Sequence, residues 1–174
     1  DKKTDIVVTS PRKQDGITTI ADGSMTLFLK NSSTTSSFPY TSVTITPDIA
    51  EWRQDTISAD FTGDNKTDLV VTQTDQDKIK LLRNDGSATF TDDGSITVGN
   101  VPLKLISGDW NSDNQTDLVV VNRDNNSVSV IQNSSGVFSI SQTLSVSENP
   151  IQIARADWDG DNYDDLAVLS KNET

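Results

Sequence analysis

The chain has 174 residues, with 26 acidic against 14 basic side chains, a formal net charge of −12, and neither cysteine nor histidine. These absences exclude a thiol nucleophile, a Ser-His-Asp triad, disulfides and a zinc site of the usual ligands. The negative charge opposes nucleic-acid binding, and no run approaches the ~20 apolar residues of a membrane-spanning helix. Strong acidity without histidine instead favours hard cations held by oxygen.

An acidic motif recurs along the chain and sets its organisation. Complete copies span residues 60–69, 109–118 and 157–166, each in the order Asp-aromatic-x-x-Asp-Asn-x-x-Asp-Leu, and residues 1–6 match its second half. The closing aspartates of the complete copies lie 49 and 48 residues apart. We therefore divide one segment, 1–174, into approximate repeat units at 5–67, 68–116 and 117–164, with a closing strand at 165–174.

The predicted elements follow the same order in every unit. An apolar run comes directly after the motif, at 6–8, 69–71, 118–121 and 166–169. An alternating strand follows at 25–29, 78–82 and 127–131, then a third strand around 43–45, 96–98 and 143–146. The fourth strand precedes the next motif, at 56–59, 103–106 and 151–154. Four short strands separated by Gly, Asn, Asp and Ser turns are typical of a β-propeller blade.

The repeat count predicts an all-β fold of about three blades plus one strand, each blade having four antiparallel strands. No stretch shows helical periodicity. A propeller closes with four to eight blades. We therefore expect this segment to be completed by more chain or by assembly with other copies of itself.

The motif and its flanking strands resemble the VCBS/FG-GAP repeats, the calcium-loop blades similar to those of integrin α-subunit propellers. The resemblance covers essentially the whole chain. It departs from the family at the sixth loop position, where asparagine (Asn65, Asn114 and Asn162) replaces the usual glycine. Asparagine tolerates the left-handed conformation well, so we expect the loop to survive.

Oxygen-bearing side chains at loop positions 1, 3, 5 and 9 predict about three Ca²⁺ sites. Alternate positions of a tight loop can converge on one ion, and Ca²⁺ takes six to eight oxygens where Mg²⁺ demands a stricter octahedron. The family resemblance implies a backbone carbonyl from position 7 as a further ligand. The predicted ligands are Asp60, Thr62, Asp64, Lys66 and Asp68 in the first loop; Asp109, Asn111, Asp113, Gln115 and Asp117 in the second; and Asp157, Asp159, Asp161, Tyr163 and Asp165 in the third.

The alternative interpretation is that these loops are Asx turns without a cation, because Asp and Asn favour turns anyway. Three loops in register, each crowding at least three carboxylates, favour the cation. By carboxylate number we expect the third loop to bind best and the loop with Thr62 worst. Asp1, the Lys3 carbonyl and Asp5 form a partial site that should bind weakly or not at all.

Other side chains offer weaker signals. The aromatic residue at loop position 2 recurs in register, so we interpret it as core packing between blades. Trp52 and Tyr40 lie outside that register and are candidates for stacking against a ligand. Sequons in predicted turns make Asn31, Asn125, Asn133 and Asn172 candidate glycosylation sites.

We expect a non-enzymatic, extracellular or cell-surface module in which calcium stabilises blades that bind glycans or extracellular proteins. No carboxylate pair is better explained by catalysis than by metal binding. Two alternatives stay open: a structural subunit of an extracellular, glycosylated filament or assembly, and an accessory region of a secreted polysaccharide-active enzyme. The expected partners are calcium, further propeller blades or copies of the chain, and an extracellular ligand.

Overall fold

The computed structural model describes residues 6–9, 25–30, 40–45 and 55–171, and these contain β-strands and no helix. The strands are β1 (Ile6–Thr9), β2 (Met25–Lys30), β3 (Tyr40–Ile45), β4 (Thr56–Ala59), β5 (Asp68–Gln73), β6 (Lys78–Asn84), β7 (Phe90–Thr97), β8 (Pro102–Gly108), β9 (Asp117–Asn122), β10 (Ser127–Ser134), β11 (Val137–Ser145), β12 (Pro150–Ala156) and β13 (Asp165–Ser170). Within these ranges, nothing is helical and apolar over the length needed to cross a membrane.

The strands form sheets in simple chain order. Two sheets have four strands, β4–β5–β6–β7 and β8–β9–β10–β11, while β1–β2–β3 and β12–β13 form smaller ones. Every neighbouring pair is antiparallel. This confirms the predicted all-β class and its four-stranded antiparallel blades, and the described strands close into no barrel or ring.

Each complete motif forms the loop between the first and second strands of a sheet. Ala59 pairs with Asp68 across the first loop, and Gly108 pairs with Asp117 across the second. Because neighbouring strands run in opposite directions, the third-to-fourth connections at 85–89 and 135–136 lie at the same strand ends as the loops. We call this side of the sheets, made of loops 60–67, 109–116 and 157–164 and these two turns, the motif edge.

The second strand of the first four-stranded sheet is buried along its whole length. Val70 belongs to a cluster shared with the β8–β11 sheet, while Leu69 and Val71 pack in a second cluster with Leu27 of β2. Successive side chains of a strand point to opposite faces. The apolar run is therefore continuous because the sheet is covered on both sides.

The second strand of the next sheet, β9, repeats this arrangement and is also entirely buried. Val120 packs in the cluster that contains Val70, whereas Val119 packs with Ile153 of β12. The outermost strands, β7 and β11, are largely exposed. The sheets thus stack face to face as blades do, with the motif loops standing beside the best-buried strands.

Candidate metal centre

All three loops share one backbone path, with left-handed residues at positions four and six. At position six, φ is 62° for Asn65, 63° for Asn114 and 70° for Asn162. This confirms that asparagine adopts there the conformation for which glycine is usual. At position four, φ is 76° at Gly63, 61° at Ser112 and 83° at Gly160, a requirement that the sequence analysis missed because serine hides it.

The first aspartate of each loop folds the backbone around its carboxylate. Asp60 accepts hydrogen bonds from the N–H groups of Gly63 (2.7 Å), Asp64 (3.2 Å) and Asn65 (2.8 Å). Asp157 repeats this set with the N–H groups at 160, 161 and 162, and Asp109 accepts from those at 113 and 114. These bonds are those of an Asx turn, so the first aspartate and the backbone N–H groups together give the loop its shape.

The closing aspartate ties the loop to the body of the sheet. Asp68 and Asp117 are 0% and 1% exposed. Asp68 Oδ2 accepts from the backbone N–H of Phe61 and Thr62 (both 3.2 Å), and Oδ1 accepts from the N–H of Asn84 (2.9 Å). A buried carboxylate needs such charge-assisted partners, so this position is structural as well as a candidate ligand.

Two asparagines complete this arrangement, and the sequence analysis missed this structural role of both. Asn84 and Asn133 each lie 16 residues after a closing aspartate, and this shared register was the available signal. Asn133 donates its backbone N–H to Asp117 Oδ1 (2.9 Å), and its side-chain Nδ2 donates to the carbonyls of Thr116 (3.0 Å) and Phe61 (2.9 Å). The last bond joins the second sheet to the loop of the first.

The third loop brings three carboxylates together. One carboxylate oxygen from each of Asp157, Asp159 and Asp165 lies within 4.8 Å of the other two. Oxygens on opposite sides of a Ca²⁺ ion are about 4.6–5.2 Å apart, so this donor set fits that cation. Within the described ranges this is the one such group of acidic side chains.

In the other two loops, position 3 is not acidic, which leaves two carboxylates at the equivalent positions. Thr62 Oγ1 is nonetheless buried, and this neutral oxygen could serve as a ligand in place of the carboxylate at position 3. Asn111 Oδ1 accepts from the N–H of Asp113 (2.9 Å), and its Nδ2 donates to Asp113 Oδ2 (3.0 Å). The loops therefore differ at the position that decides how many carboxylates face the centre.

The position-5 aspartates also accept hydrogen bonds from the loop backbone. Asp64, Asp113 and Asp161 accept from the N–H two residues further on, at 2.9, 2.8 and 2.8 Å. Asp161 is not part of the three-carboxylate group. Of the four side-chain ligands predicted in the third loop, those at positions 1, 3 and 9 lie close together, and the role of each as a ligand stays a prediction.

The position-7 side chains take three different courses. Lys66 Nζ makes an ion pair with Asp64 Oδ2 (3.0 Å), and its hydrogen bond is the main cause that lowers the pKa of that carboxyl. Gln115 Oε1 accepts from the N–H and hydroxyl of Ser135. Tyr163 is 67% exposed. The carbonyl role at this position stays a prediction.

The aromatic residues at loop position 2 follow the stacking of the sheets. Phe61 is 1% exposed and meets Phe138 edge-to-face, with ring centroids 5.9 Å apart. Trp110 packs against the cluster shared with the β12–β13 sheet. Trp158, on that two-stranded sheet, is 56% exposed. Core packing thus holds for the first two aromatics, whereas the third stands free on the last described sheet.

The remaining candidates fare unequally. Asn133 is buried and its side chain is fully engaged, so we withdraw it as a glycosylation acceptor in the folded protein. Asn125 is exposed in a turn, where its Oδ1 accepts from the N–H of Asn100. Tyr40 begins β3, and nothing is described of its side chain. The remaining predicted residues, Asp1, Lys3, Asp5, Asn31, Trp52 and Asn172, lie outside the described residues.

A family comparison agrees with this repeated geometry. The sequence model of the FG-GAP-like repeat matches residues 60–120 and 109–168, so each match begins at the first aspartate of a motif. The chain belongs to the FG-GAP-like repeat family. This confirms the resemblance, and FG-GAP repeats indicate a β-propeller-like binding or adhesion module. No curated protein sequence matches the chain.

Proposed function

We propose that this FG-GAP chain is a calcium-stabilised, non-catalytic binding module of an extracellular or cell-surface protein. Calcium would be held first by the third loop, through Asp157, Asp159 and Asp165, and would act as a structural ion. The motif edge would then present the loops to an extracellular protein or glycan.

The observation that carries this proposal is the approach of three carboxylates to within 4.8 Å. An Asx turn needs only the first aspartate, whose oxygens already accept the loop N–H groups. Asp159 and Asp165 also accept backbone N–H groups, but a neutral asparagine can accept such a bond, as Asn111 does in the second loop, so hydrogen bonding gives no reason for three negative charges side by side. Like charges at such distances repel by about 1 kcal/mol per pair even in water, and the attraction of each carboxylate to a bound divalent cation would offset that repulsion.

A structural rather than catalytic role for calcium fits the position of the loops. Asp165 Oδ2 accepts from the N–H of Trp158 (3.0 Å), so the closing aspartate links the two ends of its own loop. The equivalent Asp68 and Asp117 also reach the third strand of their sheets. A cation drawn to this aspartate would therefore fix the loop against the sheet, and each acidic group has a task in folding the loop.

The test is calcium binding by calorimetry together with thermal melting in calcium and in chelator. We expect the intact chain to bind calcium and to melt at a higher temperature in its presence. Asp159→Asn gives the third loop the side chain found at Asn111 and should remove most of this effect. Asp164→Asn is the matched control, because Asp164 lies in the same loop but pairs with Arg155 (2.8 Å) outside the group. No binding heat and no melting shift in the intact chain would refute the calcium function.

A second candidate function, a subunit of an extracellular assembly, rests on the exposed face of the β12–β13 sheet. Leu169 of β13 is 59% exposed, whereas its repeat equivalents Thr72 and Val121 are fully buried. Trp158 stands exposed on the same sheet. Light scattering in calcium, comparing the intact chain with Leu169→Asp, tests this role. The role requires that the intact chain form a particle larger than one chain and that the substitution dissociate it.

A further inference from the structure

We propose that Lys66 is the resident cation of the first loop: its ammonium group neutralises Asp64, adds to the stability of the loop without calcium and weakens calcium binding there. This inference rests on the calcium function proposed above and concerns the regulation of the same kind of site. It adds a cause beyond carboxylate number for why the loops should differ.

The first observation is that Lys66 makes an ion pair and a backbone hydrogen bond with Asp64. Its Nζ lies 3.0 Å from Asp64 Oδ2, and its backbone N–H donates to Asp64 Oδ1 at 2.9 Å. Both oxygens of the position-5 carboxylate are therefore engaged by one residue. This carboxylate is thereby oriented and neutralised at once.

The second observation is that the methylene groups of the lysine side chain pack against a neighbouring turn. A Cβ placed on Gly86 would lie 3.2 Å from Lys66 Cδ and 3.3 Å from Cε, so the methylene groups pack closely over this turn. Gly86 is itself fixed, because its N–H donates to Asn84 Oδ1 (2.9 Å). An ammonium group carried on a packed stem loses less freedom on pairing than one on a solvated stem.

The three loops form a natural series at position 7. Lys66 supplies a full positive charge, and Gln115 supplies a neutral amide whose Nε2 lies 3.3 Å from Asp113 Oδ2. Tyr163 is largely exposed. The first two loops carry the same number of carboxylates, so the residue at position 7 changes their charge by one unit. A positive charge roughly 5 Å from a divalent ion in water weakens its binding on the order of tenfold.

Reciprocal exchanges test the proposal. In chelator at low salt, Lys66→Gln should lower the melting temperature, because the acidic loop loses its internal cation, whereas Gln115→Lys should raise it. Calcium titrations in an Asp159→Asn/Asp165→Asn background, in which the third loop keeps fewer carboxylates at its predicted ligand positions than either other loop, should show binding strengthened about tenfold by Lys66→Gln and weakened by Gln115→Lys. Lys78→Gln, at the opposite edge of the first sheet, controls for the loss of one positive charge and should leave calcium binding unchanged.

The outcomes separate this inference from the calcium function. Absence of calcium binding in the intact chain would refute the function, while the chelator measurements would still test Lys66. An unchanged melting temperature of Lys66→Gln in chelator would overturn the resident-cation role whatever calcium does. Unaltered calcium affinity in both exchanges, while the intact chain binds calcium, would overturn the claim that Lys66 weakens the site.

Discussion

Replacing Asn133 by alanine should show how far the loop of one sheet depends on the next. The side chain is 2% exposed, and its Nδ2 donates to the carbonyls of Phe61 (2.9 Å) and Thr116 (3.0 Å), while Oδ1 accepts from the N–H of Gly136 (2.8 Å). Alanine leaves these three groups without partners. At about 1 kcal/mol each, or more where burial keeps water out, the free energy of unfolding should fall by about 3 kcal/mol.

Asn84 provides the matched control for this substitution. It holds the same register in the first sheet, but its side-chain bonds, to the Thr67 carbonyl (3.0 Å) and from the Gly86 N–H (2.9 Å), are solvent-exposed. Water can replace them, so Asn84→Ala should lower the free energy of unfolding by about 1 kcal/mol. Urea denaturation of both variants in chelator measures the difference. Equal losses would contradict the claim that Asn133 bonds the sheets together, and so would an Asn133→Ala variant as stable as the intact chain.

Three further experiments follow from the described geometry. Ser112→Gly should raise the free energy of unfolding by up to about 1 kcal/mol in urea titrations, because φ at this residue is 61° and glycine adopts it without strain; a destabilised variant would contradict this. Phe61→Ala should lower the free energy of unfolding by about 3–5 kcal/mol in the same assay. Trp158→Ala should lower it far less, because that side chain is 56% exposed. Comparable losses would show that the aromatic residue of the third loop is packed as that of the first loop is. The hydrogen bond from Lys66 lowers the pKa of Asp64 below its ordinary 3.8. Their pairing therefore stabilises the fold above that pH, and this stabilisation is lost as the pH falls through the lowered pKa. Melting curves measured at decreasing pH should lack this contribution in Lys66→Gln and should retain it in Lys78→Gln.

The strand order and the position of the loops could be predicted from the sequence because their signals are local. The apolar run at 69–71 is bounded by Asp68 and by the turn at 74–77, and these residue types alone indicate a buried strand between two turns. The left-handed conformation at Asn65 is expected from the family resemblance, in which glycine is usual at this position, together with the tolerance of asparagine for that conformation.

The features that escaped prediction depend on contacts or on competition between partners. Asn133 reads in the sequence as an ordinary sequon, and its burial arises only when the β8–β11 sheet packs against the first loop. The spacing of Asp161 gives no sign that its Oδ1 accepts the nearby Tyr163 N–H or that its carboxylate lies outside the three-carboxylate group of the third loop. Serine carries no sign that Ser112 must be left-handed. Local patterns therefore fixed the loops, whereas the direction of individual side chains needed the folded chain.

The most direct test of the calcium function is a crystal structure grown in calcium, with anomalous scattering measured to locate the ion. We predict an ion in the third loop with oxygens of Asp157, Asp159 and Asp165 at about 2.3–2.6 Å. A third loop that binds no ion at millimolar calcium would contradict the account. An ion held there by Asp161 and not by Asp159 would contradict the assignment of ligands.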